Sequence, residues 1–331
     1  MREKIFVAGL GATGSSAVID LLKEVRSFFV FENEFRLFVD PGGLINLRDA
    51  LVDNWSIYQT DYAIKKYRKI VYAINKRFRS PYSTLGHDKY LDDQLIPLTD
   101  EFLDNITELR YDGLWYGIDN LLKRQLNKYK IFSRKRIVTE PIYVGKNLTV
   151  EEFNGFTDDY INKLIGYCLI KYNKKHFCFN ENFSCLFPEK ILNMVKGSKM
   201  IIVVRDPRDV FATAIENRWT AAPGINKDFI KWENLIFNRW ITIHKRLKDL
   251  DPEEKYYKII KFEDLIGNYN KIKSIIFEWC HVAIKDHVDE KRYLNPQISR
   301  RNIGLWKQIL KKEDAQLIYN LFNKYYEYYN Y

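Results

Sequence analysis

MIIVVRDPRDVFAT, residues 200–213, is a short apolar run, a charged proline turn and the start of a helical pattern. A continuous run of Met and β-branched residues suits a strand covered on both faces, as in parallel sheets. Arg205 then leaves the strand at its carboxyl end, the edge at which open α/β sheets bind ligands. A helix over 208–217 returns the Thr213 hydroxyl toward the same point. A guanidinium and a hydroxyl together make a monophosphate clamp, because the guanidinium offers paired N–H donors to phosphate oxygens. The alternative is an ion-paired turn in which Arg205, Asp206, Arg208 and Asp209 neutralise one another.

Upstream, KIFVAGLGATGSS (residues 4–16) reads as strand, loop and helix. N–H groups at a helix start, beside its positive dipole end, bind phosphate, and glycines let the backbone approach. The spacing Gly9-x-Gly11-x-x-Gly14 fits a dinucleotide fingerprint, with Glu32 and Glu34 near the place of the ribose-binding acid. The loop also resembles Walker A with Ser15 in the lysine position. It resembles, third, the phosphosulfate loop of sulfotransferases. The loop alone leaves all three open.

The 200–213 segment chooses among them. VVRDPRDVFAT resembles the 3′-phosphate-binding segment of sulfotransferases that use 3′-phosphoadenosine 5′-phosphosulfate (PAPS), in which an Arg and a Ser eight residues later hold the phosphate. Arg205 and Thr213 take those places, with Thr for Ser. Gly11, Ala12, Thr13, Gly14, Ser15 and Ser16 fall where that family binds the 5′-phosphosulfate. SRRNIGLWK (residues 299–307) is similar to the family's R-K-G-x-x-G-x-W-K segment and puts Arg300 and Arg301 beside the 3′-phosphate. IIKFEDL (residues 259–265) is similar to the strand leading into its Y-E-D-L helix start.

The resemblance implies a P-loop-like sulfotransferase fold: α/β, three layers, a parallel sheet flanked by helices. Short β-prone runs at 4–8, 28–31, 136–139, 177–179, 200–204 and 257–261 alternate with helical patterns, as such a sheet requires. Helices are expected near 17–24, 158–173, 189–196, 265–280 and 313–326. Residues 54–135 read as mostly helical, with Ile64, Tyr67, Val71, Ile74 and Phe78 forming one apolar stripe. We expect one domain over 1–331, with 54–135 a helical insertion or cap.

Composition narrows the function classes. The chain has 331 residues, 46% hydrophobic, so a large core is available and wholesale disorder is excluded. Lys and Arg number 53 against 43 Asp and Glu, a net charge of +10, which points to an anionic partner. Cys168, Cys178, Cys185 and Cys280 show no C-x-x-C spacing, and the five histidines no H-x-x-x-H pattern. No metal site is therefore expected, and reduced thiols suit a cytoplasmic setting. Residues 5–8 are too few for a signal or membrane segment, and no later run is apolar enough. We expect a nucleotide partner and a glycan acceptor, and no nucleic acid.

Sulfuryl transfer needs a base for the acceptor hydroxyl and charge stabilisation on the leaving nucleotide. FENE (residues 31–34) resembles the segment of the glycosaminoglycan branch that carries a catalytic glutamate. Its spacing from the loop favours Glu34, with Glu32 the main rival; the ordinary alternative is a salt bridge from Glu34 to Arg36. The cytosolic branch uses a histidine, for which His176 is the nearest candidate. Two departures stand out. Where the family's loop usually carries Lys or Arg, this chain has Ala12, and where the glycan branch has a lysine before Pro188-Glu189, residues 177–182 supply none. Either another cation compensates (Arg36, Arg300 or Arg301), or the enzyme is slow, or the protein binds PAPS without transferring sulfate. On the acceptor side, Lys65, Lys66, Arg68, Lys69, Lys76, Arg77 and Arg79 form a basic run, read as an anion-attracting rim or a solvated face. Trp55, Tyr58, Tyr62, Trp115 and Tyr116 are read mostly as core, with sugar stacking as the functional alternative. The terminal Tyr325, Tyr326, Tyr328, Tyr329 and Tyr331 are expected to cover the domain or an oligomer contact.

Overall fold

The computed structural model describes residues 2–75, 86–115, 121–132, 139–218 and 227–331. Among them are seven strands: β1 (Lys4–Gly9), β2 (Phe28–Glu34), β3 (Thr107–Gly113), β4 (Glu140–Gly145), β5 (His176–Asn180), β6 (Ser198–Val204) and β7 (Tyr257–Lys261). Five of them form one parallel sheet in the order β2-β5-β1-β6-β7. Alternate side chains of each strand point to opposite faces. Phe6, Phe31, Phe179 and Ile202 enter one core, whereas Ile5, Val30, Cys178 and Val203 enter the other. Two apolar faces explain why the β1 and β6 runs are unbroken rather than alternating. The first core is aromatic, with the Phe6 and Phe179 rings stacked 4.2 Å apart. Each such buried ring contributes about 2–3 kcal/mol by transfer from water.

The three-layer α/β architecture expected from the sequence is present. Helix Ser15–Lys23 covers the second core, and helices Phe262–Gly267 and Tyr269–Trp279 lie with it. The order decides between readings of the glycine loop. In the dinucleotide fold, the strand carrying the ribose-binding acid lies directly beside the first strand. Here β5 stands between β1 and β2, so Glu32 and Glu34 sit one strand removed.

The described part of 54–135 is mostly helical, as the sequence predicts, but it also carries the strand β3. Helix Ile57–Asn75 is present, with Ile64, Tyr67, Val71 and Ile74 buried in the first core as the stripe predicts; Phe78 lies outside the described residues. Helices Leu95–Asn105 and Leu121–Phe132 flank β3, which pairs antiparallel with β4. β3 is mostly exposed, so it lacks the apolar alternation that marks a strand. Of the strand expected at 136–139, residues 136–138 lie outside the described residues; β4 runs over Glu140–Gly145. The 24-residue helix Lys227–Leu250 has no counterpart in the sequence pattern; its buried stripe is interrupted by Glu233 and His244. Tyr325, Tyr326 and Tyr329 are buried in the first core, in keeping with the covering role expected of the terminal tyrosines. No helix among the described residues is long and apolar enough to cross a membrane.

Candidate active site

The loop after β1 lies at the carboxyl edge of the sheet, between the strand and helix Ser15–Lys23. Gly11 (φ 81°), Ala12 (φ 46°) and Gly14 (φ 91°) are all left-handed. At Gly14 glycine is required twice: by its φ, and because a Cβ would lie 2.4 Å from Phe262 Cδ2. The left-handed Ala12 turns its carbonyl toward Arg205. Thr13 is buried, and its Oγ1 has no partner. Ser15 is buried, whereas Ser16 is exposed.

Arg205 and Thr213 are brought together as their spacing predicts. Arg205 is only 3% exposed. Its Nη1 donates to Thr213 Oγ1 at 3.0 Å and to the Ala12 carbonyl at 2.9 Å; its Nη2 donates to the Asn302 carbonyl at 2.5 Å. Phe262, the first residue of the F-E-D-L helix start, places its ring 4.9 Å from the guanidinium carbon. Burial pulls the Arg205 pKa down, opposed by Asp209, Glu263 and Asp206 nearby; a guanidinium stays charged regardless. Nε is buried without a partner. Arg205 thus sets a guanidinium against the backbone of residue 12.

The two aspartates of the turn do not neutralise Arg205 by direct pairing. Asp206 caps helix Pro207–Glu216, pairs with Arg208 at 2.7 Å and accepts from Tyr326 Oη at 2.9 Å. Asp209 accepts from Gly304 N at 2.8 Å and Trp306 N at 3.0 Å. Together with the Arg205–Asn302 bond, these contacts strap residues 302–306 across the clamp. Arg300 and Arg301 lie just before the strap and are exposed. Glu263 accepts from Asp206 N and Tyr331 Oη, and burial raises its pKa.

On the other side of β1, the β2–β5 pairing contains a bulge. Phe31 faces Phe179, yet the next pair is Glu34 with Asn180, so Glu32 and Asn33 are extra. Bulges re-aim side chains near sites, and this one carries Glu34 to the edge of the sheet. Glu34 Oε1 accepts from Asn182 Nδ2 at 2.6 Å, and Asn182 Oδ1 accepts from Ser15 Oγ at 3.0 Å. Glu32 points outward to Lys23 at 3.3 Å. Arg36 pairs with Asp40 at 2.9 Å rather than with Glu34, the alternative considered for that glutamate. His176 stands at the opposite end of β5, where its Nδ1 accepts from Glu3 N at 3.0 Å. That distance from the edge removes it as a base.

Glu181, which carries no motif in the sequence, is buried beside this group. Its Oε2 accepts from Arg36 N at 2.6 Å, and its Oε1 has no partner. Desolvation, opposed by backbone N–H groups of Arg36 and Phe38, pushes its pKa up to about 8.

The basic run is less bare than its sequence suggests. Lys65 pairs with Asp61 and Glu140, and Arg68 with Asp100. Lys76, Arg77, Arg79 and Tyr116 lie outside the described residues. Trp55, Tyr58 and Tyr62 are exposed rather than core, the last by 61%. Tyr62 lines a cavity of about 520 Å³ with Asn46, Asn54, Gln59 and Lys66.

No family model and no curated protein matches the chain. Among solved structures it is similar to the sulfotransferase domain from the Synechococcus PCC 7002 olefin synthase: 12% identity over 98% of this chain and 94% of that one, TM-score 0.47. It is also similar to a sulfotransferase from Mycobacterium tuberculosis H37Rv, at 11% identity over 97% and 76% of the two chains, TM-score 0.43. A third similar structure is the sulfotransferase domain from the curacin biosynthetic pathway, at 12% identity over 98% of each chain, TM-score 0.43.

Proposed function

We propose that the protein transfers the sulfuryl group of PAPS to a hydroxyl or amine acceptor, of which a carbohydrate is the preferred class. One observation carries the reading. Arg205, Thr213, the left-handed loop and the 302–306 strap converge at the carboxyl edge of the sheet, with two buried polar atoms unpartnered there: Arg205 Nε and Thr13 Oγ1. Orphaned buried donors are costly, about 1–3 kcal/mol each, and phosphate oxygens would satisfy both. The residues present therefore fit a phosphorylated nucleotide.

Arg205 and Thr213 hold the 3′-phosphate, with Arg300 and Arg301 at the rim. Gly11, Ala12, Thr13, Gly14, Ser15 and Ser16 receive the 5′-phosphosulfate through backbone N–H groups and hydroxyls, aided by the dipole of helix Ser15–Lys23. Glu34, at the end of β2, takes the acceptor proton as its oxygen attacks sulfur, and adenosine 3′,5′-bisphosphate leaves. Charge on the leaving oxygen is met by the N-terminus of helix Ser15–Lys23 rather than by a lysine on the loop. The carbohydrate preference rests on the amide-lined cavity beside Tyr62, since planar amides and an aromatic face suit sugar hydroxyls and rings. Residues 54–135 supply Asn54, Gln59, Tyr62 and Lys66 to it, the acceptor-side part of a single 1–331 domain.

Calorimetry with adenosine 3′,5′-bisphosphate tests the nucleotide site. We expect binding that Arg205→Ala abolishes; equal binding in the variant removes the clamp. Sulfate transfer from PAPS to a panel of glycans, with Glu34→Gln as control, tests the chemistry. Nucleotide binding with no transfer to any acceptor, or to water, would make the protein a binding module.

A further inference from the structure

Asn182 follows β5, where residues 177–182 supply no lysine. Its position is set by main chain on both sides. Glu181 N donates to the Val7 carbonyl at 3.1 Å, and Phe183 N to the Gly9 carbonyl at 2.9 Å, so the turn is laced to β1 directly below the phosphate loop. Phe183 holds φ at 61°, a left-handed conformation that a bulky residue adopts only when its surroundings enforce it. The same turn grips the Glu34 segment twice, through Glu181 to Arg36 N and through Asn182 to the Glu34 carboxylate.

The chain Ser15–Asn182–Glu34 has a single polarity. An ionised carboxylate only accepts hydrogen bonds, so Asn182 must present Nδ2 to Glu34. Its Oδ1 then faces Ser15, whose hydroxyl donates. The amide is thus oriented by the charge at one end and ties that charge to the phosphate loop at the other. An amide neither ionises nor neutralises the carboxylate. A lysine here would form an ion pair with Glu34 and make it a poorer proton acceptor.

We propose that Asn182 is a positioning residue for sulfuryl transfer: a neutral strut holding Glu34 at a fixed distance from the phosphate loop. The inference rests on the function proposed above. In the transfer step Glu34 takes the acceptor proton, the acceptor oxygen–sulfur bond forms, and the bond from sulfur to the nucleotide's bridging oxygen breaks. Asn182 exchanges no proton.

Two measurements on the full chain test it. In ¹⁵N-labelled protein, the Asn182 side-chain amide protons are expected downfield and slow to exchange, and to lose both properties in Glu34→Ala. In PAPS turnover followed as sulfate release to water, Asn182→Ala is expected to lower kcat about 10- to 100-fold with the KM for PAPS within about twofold, the signature of lost alignment. Asn182→Asp, which sets a second carboxylate against Glu34, should move the acid limb of the pH–rate profile to higher pH, as like charges sharing a site do. An Asn182 amide unaltered by Glu34→Ala, or Asn182→Ala turning over at the wild-type rate, overturns the strut. The amide signature decides the matter if sulfate release is too slow to follow. Failure of the wild type to bind adenosine 3′,5′-bisphosphate defeats the sulfotransferase reading, and this inference with it. Normal nucleotide binding with an ordinary amide sinks the strut alone.

Discussion

The two flanks of β1 are built from different materials. Toward β6, the loop meets a buried guanidinium whose donors go to Ala12, Thr213 and Asn302, under a strap pinned by Asp209. Toward β5, it meets a hydroxyl, an amide and a carboxylate in line, partly open to solvent. A buried charge tied to three acceptors suits binding, because it is already organised and cannot leave without orphaning its partners. A partly solvated carboxylate on a neutral strut suits proton transfer, because it must change state during each turnover. Under the proposed function, affinity falls to one side of the loop and chemistry to the other.

The sharpest way to break this division is at Glu34. Glu34→Gln should lower turnover about a thousandfold, within the range for loss of a general base, while leaving calorimetric affinity for adenosine 3′,5′-bisphosphate within about twofold. A comparable loss of affinity would join the two flanks into one functional unit. Arg205→Ala probes the other side. It removes three charge-assisted bonds and strands two carbonyls, so nucleotide affinity should fall at least about a hundredfold and thermal stability should drop with it. Turnover at saturating PAPS should suffer less than binding. Asp209→Ala is milder. It frees Gly304 N and Trp306 N, costs about 1–3 kcal/mol in denaturant unfolding, and weakens nucleotide affinity with no change in the pH–rate profile.

A further effect, on stability rather than on turnover or affinity, is a pH slope from Glu181 on the β5 flank. Its carboxyl is held neutral in the fold up to about pH 8, whereas the unfolded chain ionises it near 4.5. The unfolded state therefore binds fewer protons between those values, and stability falls as pH rises through that window. Glu181→Gln keeps the acceptor for Arg36 N and removes the titration. The variant should gain stability relative to wild type from pH 5 to pH 8.5, by chemical denaturation at several pH values. A constant difference across that range would show that Glu181 does not titrate there.

The β6 flank is legible in the amino-acid sequence, and the β5 flank largely is not. Arg205 and Thr213 lie eight residues apart on one strand–helix unit, so local geometry alone brings them together. Spacing favours Glu34 over Glu32, but what carries Glu34 to the edge is a bulge against β5, and that depends on a register that no spacing reveals. Asn182 and Glu34 are 148 positions apart, and an asparagine in a loop carries no signal of its own. The Asp209 strap is hidden similarly, because backbone donors at Gly304 and Trp306 leave no mark on residue type. β3 escapes a pattern reading because an exposed strand needs no apolar face. Helix Lys227–Leu250 escapes it because Glu233 and His244 are buried where its stripe calls for apolar residues.

The strap also has a consequence in time. Arg205 reaches 97 residues forward to Asn302, and Asp206 reaches 120 forward to Tyr326. A chain emerging from the ribosome makes β1, its loop and β6 long before these partners exist, and contacts of such separation form late. A nascent chain carries an open guanidinium and an uncovered loop until residues 302–326 have been made, so the proposed nucleotide site closes only after they arrive.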